Sequence, residues 1–130
     1  MILLDTHILL WWVGQPDRLT AAQIEAIRKN ESDSLGVSVI TCWEIGKLVQ
    51  LGRIELGRAV DEWLEVALTY PGMQLLPLTP RIALASCQLP DGFRSDPADE
   101  ILVATARLYG CPLVTSDRKL RAYAHVNSVY

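Results

Sequence analysis

The sequence predicts an α/β fold, with a mainly parallel central sheet flanked by helices on both faces. Short apolar runs alternate along the chain with stretches of helical periodicity, and the runs are continuously apolar, as strands covered on both faces must be. Half of the 130 residues are hydrophobic. That suits one domain over 1–130 burying roughly two-thirds of its unfolded surface. No repeat, low-complexity tract or linker divides it.

The first strand is Ile2 to Leu4, and a helical pattern follows to Val13. A second helix over Thr20 to Lys29 opens on Thr20-x-x-Gln23, a capping box in which each side chain satisfies the other's free backbone N–H. Leu35 to Val39 reads as a strand. Thr41 to Leu51 then reads as an amphipathic helix stopped by Gly52, and Arg58 to Leu68 as another. Gln74 to Leu76 is the next strand. Thr79-Pro80 and Asp96-Pro97 each place a capping side chain before a proline at the first helical position, and the second of these helices, Ala98 to Leu108, ends at Gly110. Leu113 to Thr115 is a buried strand, Arg118 to Tyr123 a short helix, and Val126 to Val129 a weak terminal strand.

In open parallel sheets ligands bind beyond the carboxyl ends of the strands. Asp5 and Asp117 follow strands directly and emerge at that edge, and Glu44 and Asp99 lie in the first turns of helices whose N-termini face it. Four carboxylates in one cleft repel one another unless they take up protons or a divalent ion, and all-oxygen donors favour Mg²⁺ or Mn²⁺. Each acid also has a structural explanation. Asp96 reads as a helix cap, Glu44 completes a capping box Thr41-x-x-Glu44, Asp99 and Glu100 suit a helix N-terminus, and Asp117 suits a turn. Asp5 has no such turn chemistry around it.

Other features narrow the function. Cys42, Cys87 and Cys111 are odd in number, widely spaced and set in apolar sequence, so they read as reduced core thiols, and no CxxC pair suggests zinc. The longest apolar run, Ile8 to Val13, is far below the roughly twenty residues of a membrane span, which with the absence of a basic leader points to a cytoplasmic protein. Net charge is −3. Any polyanion must therefore be held by local features.

Four segments in order resemble the PIN-domain nucleases, most closely the VapC-type toxins of bacterial toxin–antitoxin pairs. They are Leu3 to Trp12, Ser38 to Ile45 with Gly52-Arg53-Ile54, Asp96 to Ala106, and Leu113 to Asp117. The resemblance implies a PIN-like three-layer sandwich, a Mg²⁺- or Mn²⁺-dependent endoribonuclease, a homodimer, and a cognate antitoxin as partner. It maps the family's four acids onto Asp5, Glu44, Asp99 and Asp117. Two places depart from the pattern: Glu100 follows Asp99 where a basic residue is common, and Arg94-Ser95 precedes Asp96-Pro97 where a histidine is common.

The reading that follows gives Asp5, Asp99 and Asp117 the principal ion and Glu44 a second ion or the attacking water. Asp96, Thr6, Thr115 and Ser116 support these ligands. Lys47, Arg94, Arg118 and Lys119, with Arg53 and Arg121, are the candidate contacts to RNA phosphates. His7 reads as a packing or hydrogen-bonding residue, and Trp11, Trp12, Trp43 and Trp63 as core or dimer contacts. The rivals are a phosphoacceptor receiver-like module, which would want paired acids after the first strand, and a catalytically silent PIN scaffold.

Overall fold

A computed structural model describes all residues, 1–130. Five strands, β1 (Ile2–Leu4), β2 (Leu35–Ser38), β3 (Met73–Leu76), β4 (Leu113–Val114) and β5 (Ser128–Val129), form one sheet in the order β3-β2-β1-β4-β5. Every pairing is parallel. The sheet is thus wholly parallel, where a mainly parallel one was expected. β1 lies at its centre, whereas a receiver-type sheet has its third strand there.

Pleating sends successive side chains to opposite faces, and two separate cores result. Ile2 and Leu4 of β1, with Leu35, Val37 and Val114, meet Ile8 and Leu9 of α1 (Thr6–Gly14), Ile27 of α2 (Ala21–Asn30), Ile45 of α3 (Val39–Gln50) and Trp63 of α4 (Val60–Ala67). Leu3, Leu76 and Leu113 turn the other way. They meet Ile82 of α5 (Pro80–Ser86), Leu102, Val103 and Ala106 of α6 (Pro97–Tyr109) and Leu120 of α7 (Arg118–Ala122). The result is the predicted three-layer sandwich.

Helix starts follow their caps. The Thr20 and Gln23 side chains make the reciprocal box, Thr79 Oγ1 accepts from Ile82 N–H, and Asp96 Oδ1 accepts from Asp99 N–H. α3 departs from the expectation. It begins at Val39, because Ser38 Oγ accepts the N–H of Ile40 at 3.1 Å, so Thr41 is buried inside the helix and the Thr41–Glu44 capping box does not form. Short 3₁₀ turns lie at Pro16–Arg18 and Pro90–Gly92. The thiols are all free, and Cys111 is buried, but Cys87 is exposed at the end of α5 and is no core residue. Of the tryptophans only Trp63 is buried, and Trp43 is 55% exposed. No helix is long and apolar enough to cross a membrane.

Two glycines separate space from conformation. At Gly72, before β3, φ is +81° and an added Cβ would lie 2.6 Å from the Glu31 carbonyl oxygen, whereas at Gly46, inside α3, it would meet nothing within 4 Å. Gly72→Ala should cost about 2 kcal/mol or more through left-handed strain and backbone collision, while Gly46→Ala should gain roughly 0.5–1 kcal/mol from helix propensity. Urea denaturation of the two variants should therefore move the midpoint in opposite directions. Equal stability of Gly72→Ala and the parent would refute the close approach at Glu31.

Candidate metal centre

The parallel pairing of β1 with β4 builds the centre of the site. Asp5 N–H donates to the Val114 carbonyl at 3.0 Å, which carries the ladder one residue beyond β1 and sets Asp5 beside Thr115. The Thr115 hydroxyl donates to Asp5 Oδ2 at 2.6 Å, and Thr6 N–H donates to Oδ1 at 2.7 Å. Asp5 is therefore the N-cap of α1, a role its sequence context did not suggest. Thr115 Oγ1 in turn accepts the Asp117 N–H, and Asp117 Oδ1 accepts from Lys119 N–H and Leu120 N–H to cap α7.

From the other side, the Thr6 hydroxyl donates to Glu44 Oε1 at 2.5 Å. The Thr6 and Thr41 hydroxyls lie 3.1 Å apart, and since the single Thr6 proton points at Glu44, Thr41 is the donor. Glu44, relieved of any capping duty by the earlier start of α3, is positioned by a side chain of α1. Ser95 Oγ donates to Asp99 Oδ2 at 2.8 Å. Ser95 N–H lies 3.4 Å from Glu100 Oε2, which draws Glu100 to the helix-start backbone.

Asp5, Glu44, Asp99 and Asp117 line one cleft of about 890 Å³, together with Asp96, Ser116 and the wall made by His7, Trp11, Arg18, Arg53 and Trp63, whereas Glu100 does not. Glu44, Asp96, Asp99 and Asp117 each have one carboxylate oxygen hydrogen-bonded within the protein and the other without a protein partner. None takes part in the chain's three ion pairs.

Burial, weakened by the Ser95 hydrogen bond and reinforced by the charges of Asp96, Asp5 and Asp117, pushes the Asp99 carboxyl up to about 7. Burial also raises Asp5, against the Thr115 and Thr6 bonds and the nearby His7, with Asp117 adding to the rise. Glu44 is raised by burial too, against the Thr6 bond and with the charges of Asp5 and Asp96 adding to it.

Such a set of hard oxygen donors, crowded, negative and without a basic partner, fits a divalent cation such as Mg²⁺ or Mn²⁺. No three of the side chains converge on a single point as they stand.

Lys47, Arg94, Arg118 and Lys119 do not line the cleft; the basic side chains that do are Arg18 and Arg53. Lys47 Nζ instead donates to Gln50 Oε1 beside Trp43. Ser116 faces the cleft, and its hydroxyl accepts from Gln23 Nε2 at 2.9 Å rather than serving a carboxylate. Gln23 was read from sequence only as half of a capping box. It is fully buried, and its amide also reaches toward the Thr115 carbonyl at 3.4 Å, tying α2 to the loop that carries Thr115 and Asp117. A wholly buried glutamine leaves no mark in sequence when its capping role already accounts for it. Arg18 carries no signal in the sequence because it closes a 3₁₀ turn of ordinary turn residues.

The raised carboxyls make the metal-free fold sensitive to pH. Asp99 binds its proton more tightly folded than unfolded, so its contribution to stability is full below its ordinary value of 3.8 and is lost as pH rises through about 7. Glu44 and Asp5 act in the same direction. In EDTA the melting temperature should fall between pH 5 and pH 8, and Asp99→Asn should flatten that fall. A melting temperature that rises over this range would contradict the assigned shifts.

Comparison with known proteins agrees with this architecture. The PIN domain family matches residues 2–126. A Mycobacterium tuberculosis protein named Ribonuclease VapC22 is 37% identical over 128 residues, 98% of this chain and 95% of that protein. Among solved structures, a chain of the VapBC2 complex of Rickettsia felis bound to a promoter DNA fragment superposes with a TM-score of 0.72 at 13% identity, covering 98% of this chain and 97% of that one. A chain of a toxin–antitoxin complex from Klebsiella pneumoniae gives a TM-score of 0.68 at 20% identity, covering 97% and 95%.

Proposed function

Because the chain belongs to the PIN domain family, we propose that it is a metal-dependent endoribonuclease hydrolysing RNA phosphodiester bonds, the toxin of a toxin–antitoxin pair. The observation that carries this reading is the cleft in which Asp5, Glu44, Asp99 and Asp117 stand together without a cationic partner. The 37% identical relative is named as a ribonuclease, and the solved neighbours are toxin–antitoxin complexes.

Asp5, Asp99 and Asp117 would hold the principal Mg²⁺ or Mn²⁺. When bound, the ion supplies charge stabilisation on the phosphoryl oxygens and a water acidic enough to attack at neutral pH. Glu44 has one oxygen fixed by Thr6 and the other free, and it takes the proton of the attacking water or places a second ion. Water adds to phosphorus in line, the bond to the leaving ribose oxygen breaks, and that oxygen is protonated from solvent. Asp96 caps α6 beneath Asp99 and keeps one oxygen toward the cleft. Thr6 and Thr115 hold their carboxylates by hydroxyl donation, and Ser116 is held by Gln23.

Total bacterial RNA should be cut in Mg²⁺ or Mn²⁺ and left intact in EDTA. Asp5→Asn should lower the rate by about a hundredfold or more while remaining folded by circular dichroism. Coexpression with the product of a small gene immediately upstream, the expected antitoxin, should silence the cleavage. Full activity in Asp5→Asn would sink the assignment.

We further propose a homodimer. Val39 and Trp43 on α3, Leu75 on the edge strand β3, Leu78 just beyond it and Leu84 on α5 are all large apolar side chains left exposed. Such side chains around a sheet edge suit a self-complementary interface. Sedimentation should show a dimer for the parent and a monomer for Trp43→Glu combined with Leu75→Glu. A monomeric parent would end the proposal.

A further inference from the structure

The cleft continues beyond its carboxylates along a wall of different character. Leu10, Trp11, Gly14 and Gln15 of α1 and its end, Arg18 of the following 3₁₀ turn, Arg53, Ile54, Glu55 and Leu56 after α3, and Trp63 of α4 line it. Two guanidinium groups stand here in a cleft that also holds six acids, yet neither forms an ion pair. Arg18 lies over the indole of Trp11, with its Cζ 4.6 Å from the ring centroid, and the His7 ring centroid lies 5.9 Å from that of the same indole.

The main chain is fixed at both arginines. Arg18 N–H donates to the Gln15 carbonyl at 3.0 Å, closing the turn opened by Pro16. Arg53 follows Gly52, whose φ of +70° ends α3. Gly52 N–H donates to the Val49 carbonyl and Arg53 N–H to the Leu48 carbonyl at 2.9 Å, the paired bonds of a Schellman stop. A β-carbon at position 52 would meet no neighbour, so the glycine is there for its dihedral angle.

We propose that this wall is the strand-holding arm of the cleft, where Arg18 stacked on Trp11, and Arg53, grip a single-stranded RNA flanking the phosphate at the carboxylates. The inference rests on the ribonuclease reading and adds the path of the substrate to it. Phosphates repelled by the acids need cations that the acids have not already neutralised, and Arg18 and Arg53 are the basic groups of the cleft that meet this need. A guanidinium laid on an indole keeps its outer face for a base and its N–H edge for a phosphate, the combination by which unpaired RNA is held without base pairing. Glu55 is the one acid interleaved with this wall, and it limits the hold to a strand whose phosphates lie on the arginine side. The apolar members Leu10, Ile54 and Leu56 offer surface for unstacked bases.

The test is fluorescence anisotropy with a 5′-labelled, mixed-sequence single-stranded RNA 15-mer and the full chain in Ca²⁺, at several salt concentrations. The parent should bind, and Arg18→Ala and Arg53→Ala should each weaken binding about fivefold or more and flatten the slope of log affinity against log salt by about 0.7. Arg18→Lys should keep the slope but lose affinity, which separates charge from stacking and guards against a misfolded alanine variant. Unchanged affinity in both alanine variants, or no binding by the parent, would overturn the arm. Metal-dependent cutting of total RNA by the parent judges the ribonuclease reading separately, since it can succeed whichever side chains hold the strand.

Discussion

The parallel pairing of β1 with β4 is the interaction on which the site depends. Its register sets Leu4 against Val114, and the next step along both strands sets Asp5 against Thr115. Both strands are buried on both faces, so every position within them is apolar, and polar side chains appear only where the strands end. The sheet's two cores and the site's position are thus consequences of one arrangement. A slip of one residue between β1 and β4 would exchange the faces met by Leu3 and Leu4 and part Asp5 from Thr115.

Parallel topology also explains why the acids gather. Each strand is joined to the next by a crossover, and the helices that begin these crossovers, with α6 that leads back into β4, start at the same edge of the sheet. A helix start wants a side-chain acceptor for its free N–H groups and tolerates negative charge. Asp5, Asp96 and Asp117 all serve as such acceptors. Capping and ligation therefore do not compete for Asp96 and Asp117, because one oxygen caps and the other remains for the cleft.

This division explains what the sequence could and could not reveal. The β1, β2 and β4 apolar runs and the Thr20, Thr79 and Asp96 caps are local signals, and the elements they predict form within a residue or two. The start of α3 was ambiguous because Ser38 and Thr41 are both good caps, and only the tertiary contact between Thr41 and Thr6 decides between them. Asp5 offered no sequence sign of its cap because no hydrophilic turn precedes α1. Asp5 itself follows the strand at once, and Thr6 begins the helix without a loop. The roles of Gln23 toward Ser116 and of Arg18 toward Trp11 depend on side-chain direction, which periodicity does not encode. β5, two residues long, is set by the β4 edge more than by its own composition.

The cleft's polarity has two parts because its charges do two different things. At the carboxylate end every acid is fixed by a donor that carries no net charge, whether a hydroxyl or a backbone N–H, so the negative charge is oriented without being neutralised. A lysine or arginine there would satisfy the same oxygens and remove the attraction for a cation. Asp5, held through both oxygens and 8% exposed, is the fixed point. Glu44, Asp99 and Asp117 each keep one oxygen free of protein partners. The fold bears the electrostatic cost of that end, visible in the raised carboxyls, on two apolar cores, one of which reaches the cleft wall through Trp63.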